Sequence, residues 1–132
     1  MRREDSKYPG DWIRIAQKDW VRMETLLDIE DYDGAGFFLQ QALEKYLKGY
    51  LLSKGWKLER VHDLESLLNS ALHYDSTFEE FRTLCQRVTG YYIIERYPVT
   101  QDSGLTESAL QRSMEDAEKL VDKINDAMDK GQ

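Results

Sequence analysis

Gly34-Ala35-Gly36-Phe37-Phe38-Leu39-Gln40-Gln41-Ala42-Leu43-Glu44-Lys45-Tyr46-Leu47-Lys48-Gly49-Tyr50-Leu51-Leu52-Ser53-Lys54 is the stretch that decides the fold. Ala35, Phe38, Leu39, Ala42, Leu43, Tyr46, Leu47, Tyr50 and Leu51 recur at three- and four-residue steps. That spacing puts them on one face of a helix running for over four turns. Gly55 follows where a helix end favours a left-handed residue. Gly49 lies inside the helix and costs propensity there, so it predicts close approach by a neighbouring helix. Asp33 is the expected cap at the start.

The flanking segments carry the same period. Upstream, Asp11 is the expected cap of a helix to about Glu30, with Trp12, Ile15, Ala16, Trp20, Met23, Leu26 and Leu27 on its apolar face. Downstream, a loop runs from Trp56 to His62. Asp63 then caps a short helix bearing Leu64, Leu67, Leu68, Ala71 and Leu72. Ser76 and Glu79 have capping-box spacing ahead of a fourth helix, which carries Phe78, Phe81, Leu84, Cys85 and Val88 and ends through Tyr91-Tyr92-Ile93-Ile94. A last helix, about Thr106 to Met128, shows Leu110, Met114, Ala117, Val121, Ile124 and Met128. Pro9 and Pro98 are the only prolines, and neither interrupts a periodic segment. The expected fold class is all-α: an antiparallel up-and-down bundle of four to five helices, one domain over 1–132 with its core at about 11–128.

Composition narrows the functions. The formal net charge is −7, which argues against a broad duplex nucleic-acid surface and leaves room for a local basic pocket. Cys85 is the sole cysteine and sits in an apolar pattern, so it reads as a small buried hydrophobe in a reducing compartment. With two histidines and one cysteine, no metal site is expected. Met1 to Gly10 is charged and has no apolar run, and no segment approaches a membrane span, so the expected location is cytoplasmic. No cofactor motif is present.

Gln41, Glu44, Lys45 and Lys48 lie at i, i+3, i+4 and i+7 on one helix face. In one reading Lys45 and Lys48 meet phosphate while Gln41 binds a base or sugar. In the other they form a solvated face with an ordinary Glu44–Lys48 pair. His62, ahead of the Asp63 cap, either contacts phosphate or Glu44, or ties its loop to the bundle. Arg96 offers a forked donor suited to phosphate, and Tyr97 offers a stacking face. The other reading pairs Arg96 with a bundle carboxylate and leaves Tyr97-Pro98 as a helix stop. Trp56, if exposed, would mark a partner surface.

Tyr32-Asp33, Phe37 through Gly49, His62-Asp63-Leu64 with Leu67-Leu68, and Tyr91-Tyr92 with Arg96-Tyr97-Pro98 occur in this order. Together they resemble the blocks of the HEPN family over about Trp12 to Met128. The resemblance implies a helical bundle, often dimeric, that binds nucleotides. It also implies company: many members are encoded beside a small nucleotidyltransferase or form toxin–antitoxin pairs. One branch consists of metal-independent ribonucleases marked by an Arg and, after four to six residues, a His. This chain departs from that branch. Arg60 precedes His62 by one intervening residue and His73 by twelve, and no histidine follows Arg96. The expected function is therefore non-catalytic nucleotide binding through Gln41, Lys45, Lys48, His62, Arg96 and Tyr97, as a homodimer acting with a nucleotidyltransferase. The alternatives are a divergent ribonuclease in which Arg96 and His62 converge, and a pure interaction module.

Overall fold

A computed structural model describes residues 6–96 and 105–130, with backbone alone for 92–96. Among the described residues there are five α-helices and no strand: α1 (Pro9–Asp28), α2 (Tyr32–Ser53), α3 (Leu64–Leu72), α4 (Arg82–Arg96) and α5 (Glu107–Lys130). A 3-10 segment, Ser76–Phe81, leads into α4. The all-α bundle expected from periodicity is the observed architecture.

α2 is the central helix and packs against the other four. Ala35, Leu39, Leu43, Leu47 and Leu51 are fully buried in one core with Met23 of α1, Leu67 and Leu68 of α3, Val88 of α4, and Leu110, Leu120 and Ile124 of α5. Gly49 has the role its position predicts. A Cβ there would lie 2.7 Å from Ile13 Cδ1 and 3.2 Å from the Pro9 carbonyl, so its absence lets α1 cross closely.

α1 and α2 end in the same hydrogen-bonded motif. After α2, Gly55 at φ +91° lets its N–H reach the Leu52 carbonyl and the Trp56 N–H reach the Leu51 carbonyl. After α1, Glu30 takes the equivalent left-handed place at φ +63°, with Glu30 N–H to the Leu27 carbonyl and Asp31 N–H to the Leu26 carbonyl. A residue with a Cβ is strained there by about 1–2 kcal/mol.

Several helix starts differ from the sequence-based expectation. α1 begins at Pro9 after Tyr8, because proline suits the first turn, where no N–H partner is needed. Asp11 falls inside that turn, accepts the Ser6 hydroxyl at 2.7 Å and pairs with Arg14. The cap of α2 is Asp31, not Asp33. Its carboxylate accepts the Gly34 N–H at 3.0 Å, and a Cβ on Gly34 would collide with it. Ser76 and Glu79 form no capping box. Asp75 caps instead, accepting the Thr77 N–H at 3.0 Å and its hydroxyl at 2.6 Å, while Glu79 pairs with Arg82. Asp63 caps α3 as expected, accepting the Glu65 N–H at 3.1 Å. Tyr91 to Ile94 lie within α4, as assigned from sequence. Trp56 is half-buried against the core rather than exposed.

A buried polar cluster and the cavity it lines

α1, α2 and the loop 54–63 enclose a cavity of about 400 Å³ lined by Trp12 and Ile15 of α1, by Gln41, Glu44, Lys45 and Lys48 of α2, and by Glu59, Arg60 and His62 of the loop. Helical spacing on α2 puts its four polar residues on the side facing away from the leucine stripe. Four residues singled out in the sequence, Gln41, Lys45, Lys48 and His62, thus come together here. Of the other two, the side chain of Arg96 and all of Tyr97 lie outside the described residues.

The wall of the cavity is a connected network. Lys45 Nζ donates to Asp19 Oδ2 at 2.9 Å and to Gln41 Oε1 at 3.0 Å. Gln41 Nε2 donates to Gln40 Oε1 at 2.6 Å, and Gln40 Nε2 donates to the His62 carbonyl at 3.0 Å. Lys48 Nζ donates to Glu44 Oε2 at 3.1 Å and stands 5.3 Å from the centre of the Trp12 ring. His62 Nδ1 is 3.2 Å from the same Glu44 oxygen. Arg22 Nη1 donates to Asp19 Oδ1 at 2.7 Å. The Trp12 indole N–H donates to the Ser6 carbonyl at 2.8 Å, so the ring is fixed edge and face.

Glu44 and Lys48 are not the solvated surface pair that their spacing allows. Each is 3% exposed, because Trp12 covers the lysine and the His62 loop covers the glutamate. Ion pairs this deep are retained only when both charges stay matched and hydrogen-bonded. His62 holds both roles set out from sequence: its ring meets Glu44 and its carbonyl anchors the loop to Gln40. Asp19 is the residue that sequence reasoning missed. It lies on α1 at three- and four-residue steps from Trp12, Ala16 and Met23, which places an acid within the buried stripe.

Burial pushes the Cys85 thiol up to about 12, so it stays protonated at neutral pH, as a core residue would. Among the described residues no group of three His, Cys, Asp or Glu could hold a metal, and no helix is long and apolar enough to cross a membrane.

The family model described as "HEPN domain" matches residues 10–127 of the chain. This is a HEPN-domain protein. No curated protein and no solved structure matches it. A HEPN domain suggests a nucleotide-binding or ribonuclease-like function, and the match spans α1, α2 and the loop that line the cavity.

Proposed function

We propose that this HEPN protein is a binding module, not a ribonuclease, and that the α1–α2 cavity takes a nucleotide. The supporting observation is the convergence of Gln41, Lys45, Lys48 and His62 on one cavity of the size that small-molecule sites have. Lys45 uses two of its three ammonium donors on Asp19 and Gln41, which leaves one for a phosphate oxygen. Arg60 brings a guanidinium suited to phosphate to the lining. Glu44 and Glu59 supply acceptors for base amino groups or ribose hydroxyls. Lys45, Lys48 and Arg60 outnumber Glu44 and Glu59, so the lining is net positive in a chain of charge −7. The partner we propose for it is a nucleotidyltransferase, which would present or consume the same nucleotide.

The test is a calorimetric and thermal-shift panel of the four nucleoside triphosphates and their monophosphates. A nucleotide at a hundred times its Kd should stabilise the fold by about 2.7 kcal/mol. Arg60→Ala should weaken that nucleotide about tenfold or more, as expected for a lost charged hydrogen bond. A flat panel up to millimolar concentration overturns the binding reading. Cleavage of single-stranded RNA by the purified protein overturns the non-catalytic one.

A further inference from the structure

A second cavity, of about 690 Å³, opens between the end of α2, the connection from α3 to α4, and α5. It shares no residue with the α1–α2 cavity. Tyr50 forms part of its wall and is 1% exposed, with its ring centre 4.8 Å from that of Phe78. The Tyr50 hydroxyl nevertheless has no hydrogen-bond partner among the described residues. Buried tyrosine hydroxyls ordinarily have one, so this group calls for an explanation. Burial and the nearby Asp75 and Tyr74 hold the phenol above its usual range, so it keeps its proton to donate. Asp75 and Tyr74 also line the cavity, which places the hydroxyl on the cavity side.

The charges around it are balanced in sign and mostly unpaired. Lys54, Lys119, Lys123 and Lys130 line the cavity together with Asp75, Glu80, Asp122 and Asp126. Lys123 pairs with Asp75 at 3.6 Å, and Lys54 stands 5.7 Å from the centre of the Tyr50 ring. The other five make no ion pair among the described residues. Helical spacing would let Lys119 reach Asp122, and Asp126 reach Lys130, yet neither pair closes. Exposed charges of both signs are ordinary on a helix. An unpartnered buried phenol beside them is not.

We infer that this cavity binds a small zwitterion, a free amino acid or a dipeptide, whose carboxylate accepts from the Tyr50 hydroxyl and a lysine while its ammonium donates to Asp122 or Asp126. A lining of equal positive and negative charge gives a singly charged ligand little net attraction and rewards one that presents both signs at once. The volume lies within the range of small-molecule sites. The phenol then finds in the ligand the acceptor that the chain does not supply.

Calorimetry and thermal shift on the full chain test this, with the common amino acids and simple dipeptides as probes. Beside them stand N-acetyl amino acids, which keep only the carboxylate, and amino-acid amides, which keep only the ammonium. At least one zwitterion should bind at millimolar concentration, and its two singly charged derivatives should bind about tenfold more weakly or worse. Tyr50→Phe removes only the hydroxyl, so it should melt no lower than wild type and weaken the zwitterion about tenfold. Asp122→Asn with Asp126→Asn should weaken the zwitterion and not its N-acetyl derivative. Binding by dipeptides but not by amino acids assigns the longer ligand. A panel in which no zwitterion binds overturns the inference. So does an N-acetyl derivative that binds as well as its parent, which would make this a plain anion site, or a folded Tyr50→Phe with wild-type affinity.

Discussion

Leu39, Leu43, Leu47 and Tyr50 on one side of α2, and Gln40, Glu44 and Lys48 on another, are all at 3% exposure or less. They are held by different physics. The leucine side is held by area and close packing, which is forgiving of chemistry and sensitive to volume. The Gln40–Glu44–Lys48 side is held by matched partners. It tolerates changes of shape but not the loss of a single charge or acceptor. One helix thus carries a core that fixes the fold and a second buried layer whose composition only a specific set of partners can satisfy. A layer of that kind, open to a cavity at Arg60 and His62, would offer the nucleotide proposed above groups already oriented.

The contrast is broken most severely by Lys48→Met. It leaves the Glu44 charge buried without its ammonium and should cost about 3–5 kcal/mol in urea unfolding. Leu43→Ala on the other side should cost a similar ~2–5 kcal/mol for a different reason, a cavity. Adding Glu44→Leu separates the two cases. The double variant Glu44→Leu with Lys48→Met should regain most of the loss, whereas no polar substitution rescues Leu43→Ala. If the double variant is no more stable than Lys48→Met alone, the polar layer is not charge-matched as described.

A smaller effect probes the two helix ends. Gly55 and Glu30 occupy equivalent left-handed places, but only the first is a glycine. Glu30→Gly should raise stability by up to about 1 kcal/mol, the released strain exceeding the extra freedom glycine gives the unfolded chain. A loss on thermal unfolding would mean the Glu30 side chain contributes more than its backbone strain.

The smallest expected effect belongs to exposed charge. Hydrogen bonds from the Thr77 hydroxyl and N–H, together with Lys123 at 3.6 Å, hold the Asp75 carboxyl below its usual value. A folded-state value below the unfolded one adds stability that is complete above about pH 4 and is lost as pH falls through the folded value. Asp75→Asn should remove that slope from an acid titration of stability and leave the Glu44–Lys48 layer untouched.

Much of this was legible in the sequence, and the parts that were not have physical reasons. Gly49, Gly55 and Asp63 were readable because each answers a local need: close approach, a left-handed turn, an orphan N–H. The caps at Asp31 and Asp75 were misplaced by one or two residues, because neighbouring Asp and Ser side chains compete for the same N–H groups and backbone geometry decides between them. Glu44 and Lys48 were assigned to a face correctly, but their burial depends on Trp12 and the His62 loop, which no helical period encodes. Asp19 is legible too: an acid at apolar spacing signals a buried partner.

The amides of Gln40 and Gln41 run in one direction, each donating onward from the Lys45 side to the His62 carbonyl. Reversing either would set donor against donor. The two side-chain NH₂ groups are therefore locked in a single orientation, and their protons should exchange slowly and resonate apart from those of solvated glutamines. The chain contains its own magnetic-resonance reporter at the cavity wall, one that reads loop movement or ligand entry without any added label.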